Sequence, residues 1–251
     1  MSSMPQDVMQ ENERLKRELA HAKAELQDFT YSVSHDLRAS LRHVNAYVQI
    51  IKEDLAEQNH PSLTAHLDTV SQAARQMGRQ IDGLMELSRL TQLELQLSRV
   101  NAGPLLQEVC AALAPAQGGR VLQWQLASDF PPLQCDAALL RQVLTHLLSN
   151  ALKFTGTRAV AEIQVTWQAG DNGQCAVTVA DNGVGFNPQY TAKLFHAFQR
   201  LHGAREFEGM GMGLALTRKM VERHGGVVWA SGAPEAGCRV GFTLPLAQVA
   251  S

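Results

Sequence analysis

The stretch FTYSVSHDLRASLRHV, residues 29–44, predicts a helix with one apolar face and a histidine on the opposite side. Its apolar residues are spaced by four, four, four and three, so they share one side of a helix. These residues are Phe29, Val33, Leu37, Leu41 and Val44. His35 lies two residues from both Val33 and Leu37, which places it about 200° around the helix from that face. The pattern therefore predicts an exposed histidine beside an acid, Asp36, on a helix whose other face is core.

The apolar face continues upstream as a heptad pattern. From Leu15 to Val33 the apolar residues are spaced by four, three, four, three and four, which is typical of a coiled coil. The three successive fours around His35 form a stutter, and a stutter locally unwinds a supercoil. The segment QNHPS, residues 58–62, ends the helix because proline disfavours helix at the preceding residue.

A second heptad run extends from Leu63 to Leu95. Two seamed helices joined by a short turn predict an antiparallel hairpin. One hairpin cannot enclose its own apolar stripe, so we expect two copies to pack as a homodimer with a four-helix bundle.

The hydrophobic period changes in the second half of the chain. A short helix at 104–114 and a strong helix capped by Asp136 are predicted there, together with alternating strands such as AEIQVTWQ and QCAVTVAD. Another helix at about 212–224 precedes a final strand pair. The predicted fold is an α-helical hairpin followed by an α/β sandwich, in which about three helices cover one face of a mixed sheet.

Composition excludes several classes of function. The 251 residues are 45% hydrophobic with a formal charge of −2, so a nucleic-acid partner is not expected. The four cysteines form no CxxC pair, which argues against a zinc site or a disulfide framework. No apolar run approaches the roughly 20 residues of a membrane span. We therefore expect a cytoplasmic protein without a membrane span in these residues.

Four motifs carry chemistry, and the first is SHDLR at 34–38. A neutral imidazole has an unshared electron pair that can accept a phosphoryl group, and Asp36 can orient the other ring nitrogen. Taken alone, His35 has a simpler interpretation as a solvated histidine.

In the second motif, HLLSNALKFT at 146–155, Asn150 and Lys153 share a helix face and suit a divalent cation and a phosphate. Taken alone, this motif is better interpreted as an ordinary helix surface.

The other two motifs are rich in glycine. In DNGVGFNP, residues 181–188, Asp181 can accept a hydrogen bond from an exocyclic amine, while Gly183 and Gly185 permit close approach of a flat ligand. A simple turn is the alternative. In EGMGMGLALTRKMVERHGG, residues 208–226, three glycines open a helix whose N-terminus suits an anion. Neither GxGxxG nor a P-loop occurs in the chain.

The order of these motifs resembles that of the sensor histidine kinases, with LFxxF (Leu194, Phe195 and Phe198) between the two glycine-rich motifs. The FQRLH and FEGxGxGLA segments look most like phytochrome-type and related soluble kinases. The resemblance implies an N-terminal coiled-coil signalling helix at 1–26, a dimerisation and phosphotransfer domain at 27–98 and an ATP-binding catalytic domain of the Bergerat type at 99–248.

The resemblance also implies a role for each matched residue. His35 would accept the phosphoryl group and Asp36 would assist as a general base. Asn150 would hold Mg²⁺ and Asp181 would bind the adenine of ATP. The remaining nucleotide-binding positions would be His146, Lys153, Gly183, Gly185, Arg200, Gly209, Gly211 and Gly213, with Phe195 and Phe198 supporting a lid. The partner would be a response regulator receiver domain, and an upstream sensor domain or protein is possible.

Three positions depart from the family pattern. Ser40 replaces the usual proline, and the loss of the proline bend predicts a stiffer helix at the histidine. Ala39 replaces a Thr or Asn that positions water, and because alanine cannot bond that water we expect weak phosphatase activity. His146 replaces an asparagine. These departures keep open an alternative, a degenerate kinase that acts as a nucleotide-gated scaffold or phosphatase. An ATPase of the chaperone or topoisomerase type ranks last, because it would lack the hairpin bearing His35.

Overall fold

The computed structural model describes residues 4–55, 61–117, 119–203 and 206–248. The chain folds into two compact units, Met1–Arg89 and Leu90–Ser251. The finer boundaries predicted at 26/27 and 98/99 stay predictions.

The first unit is built on two long helices. Helix α1 spans Met4–Leu55 and helix α2 spans Pro61–Gln92, which confirms the predicted helical hairpin. Ion pairs join Arg38 to Asp82 and Lys52 to Asp68 across the two helices. The helix passes through the histidine motif without interruption. Ser40 occupies the position of the missing proline, and its hydroxyl donates to the Asp36 carbonyl at 3.0 Å.

The heptad positions of this hairpin divide into two stripes. One stripe lies between the two helices of one chain, where every member is buried or half-buried: Ser34, Leu41, Val48, Leu55, Leu67, Ala74, Ile81 and Ser88. The other stripe is 38–49% exposed in a single chain: Leu37, Val44, Ile51, Leu63, Val70, Met77 and Leu84. Within each helix, the members of a stripe are seven residues apart. We call the second set the outer stripe. Of the predicted apolar face at 29–44, Leu37 and Val44 belong to the outer stripe, and Val33 is also exposed within one chain.

The second unit alternates helices with strands. Its strands are β1 (Leu97–Asn101), β2 (Val121–Leu126), β3 (Pro132–Asp136), β4 (Val160–Ala169), β5 (Gln174–Asp181), β6 (Val228–Gly232) and β7 (Cys238–Pro245). Its helices are α3 (Ala102–Leu113), α4 (Ala137–Phe154) and α5 (Gly213–Arg223). Short 3₁₀ segments lie at Ala114–Gln117, Asp171–Gly173 and Pro188–Lys193.

Five strands form the main sheet in the order β2-β4-β5-β7-β6. The β2–β4 pair is parallel and the other pairs are antiparallel, so the predicted mixed sheet is confirmed. Along β4 the buried residues alternate with exposed ones, because successive side chains point to opposite faces of a sheet. The buried face packs against the apolar side of α4, where eight residues are buried. This core holds the ends of β5, α4 and α5 in fixed positions.

Asp136 begins α4 as predicted. Its Oδ1 accepts from the backbone N–H groups of Ala138 (3.0 Å) and Leu139 (3.2 Å), which satisfies two orphan donors of the first turn. Its Oδ2 accepts from the N–H of Gln96 at 3.1 Å. Strands β1 and β3, which meet as a separate antiparallel pair beside this cap, were not predicted from the sequence.

Candidate functional site

A cavity of about 310 Å³ opens in the second unit, at the end of β5 and between α4 and α5. A loop comprising residues 199–203 and 206–212, the cavity loop, closes one side of it. The volume is in the range of small-molecule sites. Nine of the predicted binding residues line the cavity: His146, Asn150, Lys153, Asp181, Gly185, Arg200, Gly209, Gly211 and Gly213. Gly183 is not one of the residues that line it.

Asp181, the last residue of β5, supplies a carboxylate to the cavity. Burial raises its pKa to about 6, although the backbone N–H groups of Gly183 and Cys238 act in the opposite direction. The N–H of Gly183 donates to Oδ1 at 2.9 Å. The carboxylate is thus oriented by the backbone of the residues that follow it and can accept a hydrogen bond from a ligand.

The two glycines after Asp181 are required by the protein's own backbone. A β-carbon at Gly183 would lie 2.6 Å from the carbonyl oxygen of Phe154. Gly185 has a φ of 63°, and a β-carbon there would lie 1.9 Å from the carbonyl oxygen of Ala233. Both distances are shorter than any real contact, so a larger residue would displace the turn. That these glycines also admit the ring of a ligand stays a prediction.

Two cations also line the cavity, Lys153 and Arg200. The Lys153 ammonium is 4.3 Å from the centroid of the Phe154 ring. Its pKa is lowered, first by burial and then by the charge of Arg200. The Arg200 guanidinium donates to the carbonyl of Phe207 at 2.5 Å. Among the described residues, neither cation forms an ion pair with a carboxylate. Two nearby positive charges without an acid favour an anion.

The glycine-rich segment brings backbone N–H groups to the cavity close to Lys153. Gly211 has a φ of 73°, and a β-carbon there would lie 2.4 Å from the carbonyl oxygen of Gln199. A β-carbon at Gly209 would lie 3.3 Å from the Lys153 ammonium. Helix α5 begins at Gly213 without a side-chain cap. The free N–H groups of its first turn therefore add to the anion site.

The face of α4 that borders the cavity carries His146 and Asn150, one turn apart. Burial lowers the pKa of His146, which keeps the imidazole neutral near pH 7. Its Nδ1 is 3.5 Å from the Thr217 hydroxyl. The Asn150 side chain has no hydrogen-bond partner among the described residues, so its oxygen can serve a ligand or a cation.

Three rings that received no role from the sequence order the cavity loop. Phe154 of α4 contacts His202 and Phe207 of the loop, with ring centroids 5.4 Å and 5.1 Å away. His202 also donates from Nε2 to the carbonyl of Gly185 at 2.9 Å. The FQRLH string contained His202, but nothing in its local sequence predicts a bond to residue 185. Phe195 and Phe198, predicted to support this loop, are not among the residues that line the cavity.

The phosphoacceptor candidate lies in the first unit. The His35 side chain is 63% exposed, and its Nδ1 is 3.3 Å from Oδ1 of Asp36. A hydrogen bond from Nδ1 leaves Nε2 with its electron pair directed to solvent. The predicted exposure of His35 and the predicted contact with Asp36 are both present.

Comparison with known families assigns both units. Residues 135–248 match the family described as "Histidine kinase-, DNA gyrase B-, and HSP90-like ATPase". Residues 25–93 match "His Kinase A (phospho-acceptor) domain". The second unit is thus an ATPase domain of this superfamily, preceded by a phosphoacceptor hairpin. The chain belongs to the sensor histidine kinases, as the resemblance predicted.

Individual relatives agree with this assignment. The chain is 30% identical to the methanogenesis regulatory histidine kinase FilI of Methanothrix harundinacea, over 91% of this chain and 25% of the relative. It is 29% identical to the phytochrome-like protein Cph1 of Synechocystis, over 93% of this chain and 31% of the relative. It therefore spans about a quarter to a third of these relatives.

A solved structure aligns with most of the chain. Full-length ShkA in complex with AMPPNP aligns over 89% of this chain and 47% of its own, with a TM-score of 0.64 and 26% identity. Within the described residues, no helix is both long and apolar enough to cross a membrane.

Proposed function

We propose that this chain uses ATP to phosphorylate His35 and passes the phosphoryl group to an aspartate of a response regulator receiver domain. The cavity of the second unit carries the proposal, because it brings together a carboxylate, two cations that form no ion pair with a described residue, and the uncapped N-terminus of α5. This combination of charges suits a nucleotide.

The charged groups of the cavity favour one orientation of ATP. The exocyclic amine of adenine would donate to Asp181, and the triphosphate would meet Lys153, Arg200 and the N-terminus of α5. Both cations and the helix terminus favour negative charge, so the opposite orientation would place phosphates against the Asp181 carboxylate. The apolar wall formed by residues such as Val179, Phe186 and Leu216 would cover the base.

The residues of the cavity also fit Mg²⁺. Magnesium prefers oxygen ligands, and it commonly takes most of them from phosphates and water. Among the described residues there is no cluster of three or more His, Cys, Asp or Glu side chains that could hold a metal alone. Asn150 would provide the protein oxygen, as predicted, and the ion would neutralise charge on the phosphates.

The proposed chemical step uses both nitrogens of His35. The electron pair of Nε2 attacks the γ-phosphorus, a P–N bond forms, and the bond from the γ-phosphorus to the bridging oxygen of ADP breaks. The proton on Nδ1 can pass to Asp36, since the two groups are 3.3 Å apart. A second in-line displacement would move the phosphoryl group from nitrogen to the receiver carboxylate.

The outer stripe supports a homodimer. Its seven apolar residues follow the heptad spacing of a coiled coil and remain exposed in one chain. A second copy of the hairpin would cover them and complete a four-helix bundle. This arrangement accounts for both stripes, since each helix would contact one helix of its own chain and one of the partner.

Labelling with ATP tests the proposal. The full chain is incubated with Mg²⁺ and ATP labelled at the γ-phosphate, and the protein is then treated with acid or alkali. We expect label that is lost in acid and retained in alkali, because a phosphoramidate is acid-labile. His35→Gln should abolish the label, whereas His43→Gln, at another exposed histidine of the same helix, should retain it.

The same experiment distinguishes an active kinase from the alternative function. A protein that binds ATP but takes up no label would be a degenerate kinase acting as a scaffold or phosphatase. The comparisons do not favour that alternative.

A further inference from the structure

The turn that follows Asp181 is held from outside through every one of its carbonyl groups. The carbonyl of Asn182 accepts from Nε of Arg158 at 2.8 Å. The carbonyl of Gly183 accepts from Nη2 of Arg158 at 2.9 Å and from the N–H of Gly237 at 3.1 Å. The carbonyl of Val184 accepts from the N–H of Glu235 at 2.8 Å, and that of Gly185 from His202 at 2.9 Å. Among the described residues, Arg158 is the one side chain that donates to two of these carbonyls.

Arg158 is built to hold a backbone. Its side chain is 28% exposed, and besides the carbonyls of Asn182 and Gly183 its Nη2 contacts the Glu235 carbonyl at 3.2 Å and carboxylate at 3.0 Å. A guanidinium is planar and presents its donors in a rigid fork, so it can hold two consecutive carbonyls in a fixed relation. A lysine has a single point charge and cannot do so.

One of these bonds acts directly on Asp181. The carbonyl of Asn182 and the N–H of Gly183 belong to the same planar peptide group. Arg158 holds the carbonyl side of this group, and the N–H on its other side donates to Oδ1 of Asp181 at 2.9 Å. Rotation of this peptide would break the bond to the carboxylate. The orientation of Asp181 therefore depends on Arg158, which does not line the cavity.

We propose that Arg158 is a positioning residue for adenine recognition, which fixes the Asn182–Gly183 peptide and through it the Asp181 carboxylate. This inference rests on the nucleotide-binding function proposed above. It assigns to Arg158 an effect on ligand affinity without any contact to the ligand.

The test measures adenosine binding to the full chain by NMR titration across the pH range 5–8. Adenosine reports on the base alone, because it has no phosphate to meet the cations. Arg158→Met retains the aliphatic stem and removes the fork. We expect its adenosine affinity at pH 7 to fall about tenfold, the effect of losing charged hydrogen bonds. We also expect the midpoint of its pH profile to rise, because the Gly183 N–H that lowers the pKa of Asp181 is released.

Two further variants sharpen the test. Glu235→Gln removes the exposed ion pair but leaves both carbonyl bonds, so its affinity and midpoint should match those of the wild type. Arg158→Lys keeps the charge without the fork and should resemble Arg158→Met. If thermal unfolding shows that Arg158→Met does not fold, Arg158→Lys alone tests whether the fork positions Asp181.

Two results would overturn the inference: unchanged affinity in folded Arg158 variants, or a loss of affinity with no movement of the midpoint, as expected from general destabilisation. Failure of the wild type to bind either adenosine or a non-hydrolysable ATP analogue is a different outcome. It would refute the nucleotide-binding function itself.

Discussion

Lowering the pH should weaken the binding of adenosine, because the Asp181 carboxyl would become protonated. The exocyclic amine of adenine is a hydrogen-bond donor and requires an acceptor. Burial raises the pKa of Asp181 to about 6, so the acceptor is lost within a range where the protein can be studied. Adenosine affinity should therefore fall with pH, since the ionised fraction of a carboxyl group falls as the pH drops through its pKa.

The size of the effect follows from the same pKa. With a pKa of about 6, roughly 90% of the Asp181 carboxyl groups are ionised at pH 7 and roughly 10% at pH 5. If only the ionised form binds, affinity falls about tenfold over these two pH units, or about 1.4 kcal/mol. Adenosine is preferred over ATP for this measurement, since the phosphates of ATP titrate in the same range.

Asp181→Asn provides the control, because its amide does not titrate. We expect this variant to bind adenosine weakly and with little dependence on pH. Other titratable or charged groups line the same cavity and could contribute to a profile: His146, Lys153, Arg200, His202, Glu208 and Cys238. A slope that persists in Asp181→Asn would assign the effect to one of them. Equal wild-type affinity at pH 5 and pH 7 would refute the reasoning.

Two other predictions concern the hairpin and the cavity loop. Val70, in the outer stripe, is 44% exposed in one chain, and covering it in a dimer contributes about 1 kcal/mol per copy. Val70→Glu should therefore weaken the dimer at least about 30-fold by analytical ultracentrifugation, from two copies of this loss. Gln72→Glu, with the same added charge on the same helix, should leave the dimer intact, and equal behaviour of the two variants would count against the interface. His202→Phe keeps the aromatic packing on Phe154 but loses the bond to the Gly185 carbonyl. Hydrogen exchange in the cavity loop should then be about fivefold faster, as expected for a bond of about 1 kcal/mol, and unchanged exchange would show that the rings alone order the loop.

The sequence predicted most of the elements that have a clear period. The helical hairpin, the N-cap at Asp136 and the β4–β5 and β6–β7 strand pairs depend on local patterns of apolar and turn residues, which a single sequence displays. The pairing of β1 with β3 escaped prediction because each strand has only five residues and their partners are distant in sequence. Such short segments have no period long enough to recognise.

For the candidate site, the sequence identified the side chains that we propose to carry the chemistry: His35 with its neighbouring acid, Asn150, Lys153 and Asp181. Motif order identified them because each motif is contiguous in the chain. The tertiary structure decided what holds them. The Asn182–Gly183 peptide is fixed by Arg158, which lies 24 residues before Asn182 in the sequence. The same guanidinium contacts Glu235, which lies 77 residues after Arg158. A heptad pattern also could not distinguish the outer stripe from the stripe that lies between the two helices, because both consist mostly of apolar residues. Only packing of α1 against α2 covers one stripe and leaves the other exposed.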